Sequence, residues 1–255
     1  MIELKSPTQL DNMREAGRLV ARALATVRSH AAVGVSLLEL DEVAAAVIAD
    51  AGATPSFLHY HPRFAPSPYP AVICASVNDA VVHGIPTRYR LADGDLLSID
   101  CGAVLGGWHG DAAISFTVGT ARPADLALIE TTERALLAGI AACRAGARLG
   151  DVSHAVGVVG RAAGYGLLAD HGGHGVGRAM HELPHVPNEG RPGRGMKLRP
   201  GLVIAIEPMF LAGGRDGYRV GADGWTLFTS DGSRAAHAEH TVAITPQGPL
   251  VLTAG

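Results

Sequence analysis

The sequence predicts one α+β domain over residues 1–255, made of two pseudo-symmetric halves whose helices cover a largely antiparallel sheet. Three observations support this prediction. Stretches with helical spacing of apolar residues are followed by short strand-like runs, this plan occurs twice, and each copy carries two acids beside its runs. With 255 residues, 47% of them hydrophobic, the chain is long enough to bury the core that such a domain needs.

The first half begins with two predicted helices. A capping box with Pro at the first helical position, Ser6–Gln9, starts the first helix. Its apolar residues recur at helical spacing: Leu10, Met13, Gly17, Val20, Leu24 and Val27. A second capping box, Ser36–Glu39, starts the next helix, and Gly52 ends it.

The same order of helices and turns is repeated 112 residues later, because the matching residues of the two halves differ by 112 in residue number. The matches are Arg22–Leu24 with Arg134–Leu136, Gly34 with Gly146, Leu37 with Leu149, Val47 with Val159, and Ala51–Gly52 with Ala163–Gly164. Chance agreement among common residues is the alternative explanation. The order of the matches favours an internal repeat over about 6–119 and 120–250, related by a pseudo-two-fold axis.

Strands follow each pair of helices. Two of them are predicted as a hairpin and two as the counterparts in the other half: Leu96–Asp100, Ala112–Val118, Leu202–Glu207 and Thr241–Thr245. The Pro- and aromatic-rich segment Phe57–Pro70 is predicted to be an irregular surface loop, and Arg191–Gly195 a second loop.

The acids of the two halves fall in matched positions. Asp100 and Glu207 each end an apolar run, while Asp111 and Glu239 each follow a His-X pair at the start of a β-rich stretch. Four buried carboxylates would repel one another, and a pair of divalent cations reverses that effect. The alternative is four independent surface acids. We expect the repeat to bring them together around two metal ions.

One histidine fits the same site. His174 is flanked by glycines in Gly172–Gly177, which allow close approach of the backbone. An isolated histidine of this kind is more often structural, but beside the acids a ligand role is favoured. Mostly oxygen ligands with one imidazole suit Mn, Fe(II) or Co, with Zn also compatible.

Composition argues against several other classes of protein. The net charge is −3 and no basic stripe is present, which disfavours nucleic-acid binding. No apolar run is long enough to span a membrane. The first residues lack the apolar region of a signal peptide, and the three cysteines are widely spaced, so we expect a cytoplasmic protein.

Seven motifs together resemble type I methionine aminopeptidase. They are Asn78–Pro86, Ser98–Asp100, His109–Asp111, Gly173–Gly177, His181–Pro184, Ile206–Met209 and Glu239–Thr241. They cover nearly the whole chain in order, and the set is highly specific. The resemblance implies the pita-bread fold, an α+β fold with internal pseudo-two-fold symmetry and a curved sheet.

The resemblance also assigns roles to the candidate ligands. It implies that Asp100 chelates one metal ion, that His174 and Glu207 hold the other, and that Asp111 and Glu239 bridge the two. The activity implied is hydrolysis of an N-terminal methionine before a small second residue, using a water activated by the metal pair.

Two further histidines and one acid would assist the reaction. By resemblance, His83 and His181 contact substrate without binding metal, where they would hydrogen-bond the tetrahedral intermediate or the leaving amide. Glu207 would carry the proton of the water to the leaving amine. An ordinary turn histidine is the alternative for both His83 and His181.

The methionine pocket implied by the resemblance consists of Tyr69, Cys74, Met180 and Trp225. Two departures from the family pattern affect it. Met180 stands where an aromatic residue is usual, and residues 57–68 fit the pattern poorly. Methionine is soft enough to line such a pocket, so we expect the pocket to be kept but to discriminate less sharply.

The remaining expectations concern partners. The resemblance implies action on nascent polypeptide N-termini, transient contact with the ribosome, a monomer, and a monovalent cation bound by backbone carbonyls near Asn78. His59, His61 and His171 are interpreted as surface groups or as groups behind the ligands.

Two alternative functions stay open from the sequence. An X-Pro aminopeptidase or prolidase shares the fold, and His171 near His174 faintly favours it, whereas His83–Pro86 argues against it. A non-catalytic pita-bread binding protein is the second, although such a protein would be expected to lose ligands.

Overall fold

The computed structural model describes residues 2–63 and 65–255. Among these residues four α-helices are found: α1 Pro7–His30, α2 Leu37–Asp50, α3 Pro123–Ala142 and α4 Leu149–Ala162. Both predicted capping boxes are present, with the Ser6 and Ser36 hydroxyls accepting from the amides of Gln9 and Glu39. The two helices of the first half therefore begin where the sequence predicts.

The described residues also form fifteen strands. In the first half these are β1 Thr54–Pro55, β2 Ile73–Val77, β3 Ala80–Val82, β4 Leu96–Leu105 and β5 Trp108–Thr117. The second half begins with β6 Gly166–Leu167, β7 Gly172–Gly175, β8 Glu182–Pro187, β9 Val203–Ile206 and β10 Met209–Leu211. The last five are β11 Tyr218–Val220, β12 Leu227–Thr229, β13 Ala235–His237, β14 Glu239–Thr245 and β15 Gly248–Val251.

One nine-stranded sheet dominates the fold. Its strand order is β1-β4-β5-β14-β9-β7-β8, with β2 paired to β4 and β15 paired to β14. The strand pairs of this sheet are antiparallel, as predicted. Two three-stranded sheets, β13-β10-β6 and β11-β12-β3, lie beside it. Strands of the two halves, β5 and β14, meet near the middle of the large sheet.

Each helix pair packs against its own part of the sheet. Apolar residues of α1 and α2 share a core with β2, β4 and β5, and those of α3 and α4 share another with β9 and β14. The close approach of α1 to β5 requires Gly110, since a Cβ there would lie 2.8 Å from the Gly17 nitrogen. This contact fixes the strand that carries Asp111. Helices over an antiparallel sheet make the fold α+β, as predicted.

The repeat spacing can be compared with the helix positions. Helices α2 and α4 each have 14 residues and begin at Leu37 and Leu149, the pair that the 112-residue offset relates. The pseudo-two-fold axis and the division into one domain stay predictions. Among the described residues, no helix combines the length and apolar character needed to cross a bilayer.

The prediction of a surface loop at Phe57–Pro70 is wrong in one respect. The segment is irregular, but Phe57, Ala65 and Tyr69 are buried and pack together with residues from distant parts of the chain. Phe64, within this segment, lies outside the described residues. The Pro- and aromatic-rich composition predicts exposure, whereas the rings of Phe57, Tyr60 and Tyr69 line the wall of a cavity.

Candidate metal centre and substrate cavity

Two of the candidate ligands belong to one row of cross-strand neighbours that spans four strands. Cys74 of β2 is paired with Asp100 of β4, Asp100 with Ala113 of β5, and Ala113 with Glu239 of β14. Directly opposite residues of antiparallel strands present their side chains on the same face. The small Ala113 between Asp100 and Glu239 leaves the space that the two carboxylates face.

Asp111 lies on the same face, two residues before Ala113. Its cross-strand partner is Gly102, which has no side chain to fill the space in front of the row. The Asp111 backbone is held from β14: its amide donates to the Thr241 hydroxyl at 3.1 Å, and that hydroxyl donates to the Asp111 carbonyl at 2.7 Å. The hairpin therefore brings both predicted acids of the first half to one place.

His174 reaches the acids from β7. Its Nδ1 lies 2.9 Å from the Gly175 carbonyl oxygen. A carbonyl only accepts, so Nδ1 carries a proton and donates it. Nε2 faces Asp111 Oδ2 at 3.5 Å and Glu207 Oε1 at 3.6 Å, where it could bind a metal ion after losing its own proton. Histidines that bind a metal through one ring nitrogen commonly donate a hydrogen bond from the other nitrogen to a carbonyl, as Nδ1 does here.

Glu207 directly follows β9, at the end of the apolar run that the sequence singled out. Asn188 donates to its backbone carbonyl at 3.0 Å and so fixes the chain at this point. The two carboxylate oxygens have different neighbours. Oε1 faces His174, and Oε2 lies 3.6 Å from His237 Nε2.

His237 is a residue of the site that the sequence analysis did not assign. It is 2% exposed, and its Nε2 also lies 3.9 Å from Glu239 Oε2. The Ser115 hydroxyl accepts from its amide at 3.0 Å and donates to its carbonyl at 2.7 Å, which locks the backbone. Its position two residues before Glu239, at the start of a β-rich stretch, was the signal available in the sequence.

Among the described residues there are two groups of three side chains, and within each group the possible ligand atoms all lie within 4.8 Å of one another. One set is Asp111, His174 and Glu239, and the other is Glu207, His237 and Glu239. Glu239 belongs to both sets, which is the arrangement expected of a bridging carboxylate. Asp100 belongs to neither set, but it faces the same space from the row described above.

The donor set fits a divalent metal. Several buried polar atoms lack a hydrogen-bond partner among the described residues, and four of them belong to this cluster: Asp100 Oδ1, Asp111 Oδ1, Glu239 Oε1 and His237 Nε2. Leaving such groups buried without partners is costly, and bound cations would satisfy the carboxylates. The three unsatisfied carboxylate oxygens are thus atoms that a metal pair could use.

The pKa values of the cluster also show that its buried carboxylates are not fully compensated by the protein. Burial, together with the neighbouring carboxylates, raises the pKa of Asp100 and of Glu239 well above the ordinary value. Burial also raises the pKa of Asp111 to about 6. Burial opposes the charge of His174, but the carboxylates of Asp111 and Glu207 outweigh it and raise the pKa of His174 to about 9. Protons would occupy this cluster wherever cations do not.

A cavity of about 250 Å³ opens onto these carboxylates. It is lined by the five candidate ligands, by His83 and His181, and by aromatic and sulfur-containing side chains: Phe57, Tyr60, Tyr69, Cys74, Met180 and Trp225. Every site residue singled out from the sequence therefore faces one space. Phe57 and Tyr60 are additions, and the aromatic content of the segment 57–70 was their only signal.

The apolar end of the cavity is rigidly built. The Tyr69 hydroxyl lies within hydrogen-bonding distance of the carbonyls of Ile73 and Gly84, at 3.1 and 2.9 Å. The Trp225 indole donates to the Ser67 carbonyl at 3.1 Å, and the Tyr69 and Trp225 rings meet edge to face at 5.1 Å. A pocket fixed in this way presents a defined apolar surface.

His83 and His181 lie between the apolar end and the carboxylates. The His83 ring meets Trp225 edge to face at 6.3 Å, while the His181 ring stacks on Tyr60 at 5.2 Å and lies 4.0 Å from that of His174. Burial lowers the pKa of His83 to about 4, and partial burial of the ring together with the neighbouring His174 lowers the pKa of His181. Both imidazoles are therefore neutral near pH 7 and able to donate one hydrogen bond.

The arrangement can be compared with known proteins. A family model described as Metallopeptidase family M24 matches residues 11–246. The chain belongs to metallopeptidase family M24. Its fold is accordingly the pita-bread fold, an α+β fold, which confirms the fold expected from the resemblance.

Relatives within the M24 family extend over the full chain. Methionine aminopeptidase 1 of Mycobacterium tuberculosis is 55% identical, with 100% of this chain and 96% of the relative covered. Methionine aminopeptidase 1 of Bacillus subtilis is 43% identical, with 99% of both chains covered. The crystal structure of methionine aminopeptidase from Thermotoga maritima has a TM-score of 0.95 at 39% identity, covering 100% of both chains.

Some solved structures of low sequence identity have a similar fold. The prolidase from Pyrococcus furiosus has a TM-score of 0.77 at 20% identity, and the chain covers 65% of its length. At this identity the likeness concerns the fold alone. The expected membership of a metallopeptidase family is confirmed, and the prolidase alternative gains no support beyond shared architecture.

Proposed function

We propose that this chain is a metal-dependent aminopeptidase that removes the N-terminal methionine from polypeptides whose second residue is small. One observation carries the proposal: a rigid apolar pocket and a buried carboxylate–histidine cluster open into the same 250 Å³ cavity. Full-length relatives named methionine aminopeptidase, at 43–55% identity, support it.

Two divalent metal ions are the cofactors in this proposal, with Mn, Fe(II) or Co favoured and Zn also compatible with the ligands. Asp100 would hold one ion, His174 and Glu207 the other, and Asp111 and Glu239 would bridge them. When bound, such a pair lowers the pKa of a water molecule and polarises the scissile carbonyl. Since Glu239 belongs to both close sets of ligand atoms, its bridging role agrees with the geometry.

The protein's own groups would handle the proton and the substrate. His83 and His181, neutral near pH 7, would donate hydrogen bonds to the carbonyl oxygen or the leaving amide of the substrate. Glu207 would accept a proton and pass it to the leaving amine, starting from an ionised carboxylate because its pKa is lowered. Burial opposes that lowering, but His237 and His174 outweigh it.

The substrate methionine would enter the apolar end of the cavity. Tyr69, Cys74, Met180 and Trp225 would surround its thioether, with Phe57 beside them. The neighbouring carboxylates would then lie next to the first peptide bond, and the rings of Tyr60 and His181 would limit the space for the second residue. Limited space at that position favours small second residues.

The wider setting follows from this activity. The substrates would be nascent polypeptides, met during transient contact with the ribosome in the cytoplasm, and the enzyme would act as a monomer formed by one domain. A monovalent cation would bind backbone carbonyls near Asn78. That residue has a left-handed conformation, with φ of 57°, and its side chain is held by Asp95 and the Leu96 amide.

Peptide hydrolysis by the purified protein tests the proposal. After removal of metals with a chelator, the protein would be reconstituted with Mn, Fe(II), Co or Zn and assayed on Met-Ala-Ser and on Ala-Pro peptides. We expect release of methionine from Met-Ala-Ser alone. Preferred cleavage of Ala-Pro would instead support a prolidase-like activity, and no cleavage of either peptide with any metal would support a binding protein.

A further inference from the structure

A buried ion pair joins the beginning of the chain to the segment that carries His181. Lys5, just before α1, donates from Nζ to Glu182 Oε2 at 2.6 Å. The Lys5 side chain is only 1% exposed, and that of Glu182 is 19% exposed. An ion pair this sheltered holds its partners more firmly than one on the surface.

The other oxygen of the same carboxylate closes the turn before His181. Glu182 Oε1 accepts from the Arg178 amide at 2.8 Å and from the Ala179 amide at 3.2 Å. Met180 and His181, which line the cavity, lie between these amides and Glu182. A single carboxylate therefore fixes both ends of the short segment 178–182.

Lys5 and the residue just before the segment 178–182 are both anchored to the large sheet. The Lys5 amide donates to the Gly201 carbonyl at 2.7 Å, and the Gly201 amide donates to the Ile244 carbonyl of β14 at 2.9 Å. On the other side, the His109 amide of β5 donates to the Gly177 carbonyl at 2.9 Å. A Cβ at Gly177 would overlap Lys5 Nζ and Glu182 Oε1, so the packing is close.

We propose that Lys5 and Glu182 are positioning residues that hold His181 and Met180 in place against the carboxylate cluster. Neither residue lines the cavity, so they act through the segment 178–182 and not on the substrate. The inference rests on the proposed role of His181 in the reaction. Displacement of a group by about 1 Å in an active site costs roughly 10²-fold in rate, which sets the scale of the effect.

The direction of the Glu182 pKa agrees with this arrangement. Burial would raise it, but the hydrogen bond from Lys5 and the bonds from the Ala179 and Arg178 amides outweigh burial and lower the pKa of Glu182. The carboxylate is therefore ionised near pH 7 and accepts all three hydrogen bonds.

Three variants separate positioning from a general effect on folding. Lys5→Met removes the cation while keeping an unbranched side chain. Lys5→Met/Glu182→Gln removes both charges, and the Gln carbonyl oxygen still accepts from the Arg178 and Ala179 amides. Lys197→Met is the matched control, because Lys197 is the other lysine of the chain and is exposed.

The first measurement is steady-state hydrolysis of Met-Ala-Ser by the metal-loaded proteins, well below their unfolding temperatures. Lys5→Met should lower kcat by roughly 10- to 100-fold with a smaller change in KM and the same metal content. The double variant should regain part of the lost kcat, and Lys197→Met should match the parent. A kcat for Lys5→Met within about twofold of the parent would overturn the inference.

The second measurement, hydrogen exchange followed by mass spectrometry, does not depend on activity. Lys5→Met should speed exchange of the Arg178 and Ala179 amides and leave that of α3 unchanged. Unchanged exchange at these amides would overturn the inference, even if kcat were lowered. His181→Ala distinguishes the remaining case: if it too keeps full activity, the proposed role of His181 is wrong, and the inference falls with it.

Discussion

Cys74 of β2 and Asp100 of β4 lie directly opposite each other, so a residue that lines the apolar pocket is paired with a candidate metal ligand. Cross-strand partners of this kind are separated by about 4.5–5.5 Å between Cβ atoms. The distance between the side chain of a bound methionine and the acids that would act on its peptide bond is thus set by the sheet register. This register links the specificity of the cavity to its chemistry.

The first prediction concerns the pocket. Met180→Phe should sharpen the preference for methionine, because a rigid ring replaces a flexible side chain that is 5% exposed among Phe57, Tyr69 and Trp225. Ratios of kcat/KM for Met-Ala-Ser against its norleucine and leucine analogues measure this. Pockets of this kind discriminate similar apolar side chains by about 1–3 kcal/mol, which bounds the change.

Leu137→Phe, on the exposed face of α3, is the control for the Met180 variant, since Leu137 is 62% exposed and does not line the cavity. It should leave all three ratios unchanged. Equal or weaker discrimination by Met180→Phe would show that Met180 does not limit the pocket.

A second prediction concerns His237, whose Nε2 lies beside Glu207 Oε2 and Glu239 Oε2. His237→Ala should weaken metal binding by roughly 10- to 100-fold, the range found when groups that orient metal ligands are removed. His237→Gln should bind nearly as tightly as the parent, because the amide still offers a hydrogen-bond donor. Competition with a fluorescent chelator measures the affinities, and equal binding by the Ala variant and the parent would contradict the prediction.

The difference between His237 and the predicted ligands shows what the sequence could and could not reveal. Apolar runs ending in Asp100 and Glu207 carry a strong signal, because a buried acid requires a partner. His237 carries no such signal, since a histidine in a strand is common. His237 comes beside Glu207 through the pairing of β13 with β10, in which it lies opposite Met209, two residues after Glu207.

The same reasoning explains the success and failure at the level of the fold. The capping boxes at Ser6 and Ser36 are local, so the starts of α1 and α2 were predictable from a few residues. The burial of Phe57 and Tyr69 depends on contacts with Met180 and Trp225, more than 100 residues away in the chain. Local composition could not indicate those contacts.

A third prediction concerns pH and His83. Its pKa in the folded protein, about 4, is below the value of about 6.5 in an unfolded chain. The unfolded state therefore binds this proton first, and the free energy of unfolding should fall as the pH drops from about 6.5 towards 4. Urea unfolding at pH 7.5 and pH 5 measures the loss.

His83→Gln should reduce that loss by on the order of 1 kcal/mol between the two pH values, because the variant lacks the titrating imidazole. The parent and variant differ only at this residue, so other titrating groups cancel in the comparison. An identical pH dependence in both proteins would show that the folded protein does not disfavour protonation of His83.

A fourth prediction separates the metal ligands from the groups that contact substrate. His181→Ala should keep the metal content of the parent, since His181 is not among the close sets of ligand atoms. Its turnover of Met-Ala-Ser should fall by roughly 10²–10⁴-fold, the usual contribution of a group that donates or accepts a proton or hydrogen bond in the reaction. Loss of metal in parallel with activity would instead make His181 a ligand.

The most direct test of the whole account is the metal dependence of methionine release, measured on the parent and on Asp111→Ala and Glu239→Ala. Chelator-treated parent should not cleave Met-Ala-Ser, and stoichiometric addition of Mn, Fe(II) or Co should restore cleavage. Both variants should fail to retain either metal ion by elemental analysis, because each lacks a bridging carboxylate. Full release of methionine by the metal-free parent, or by either variant, would contradict the account.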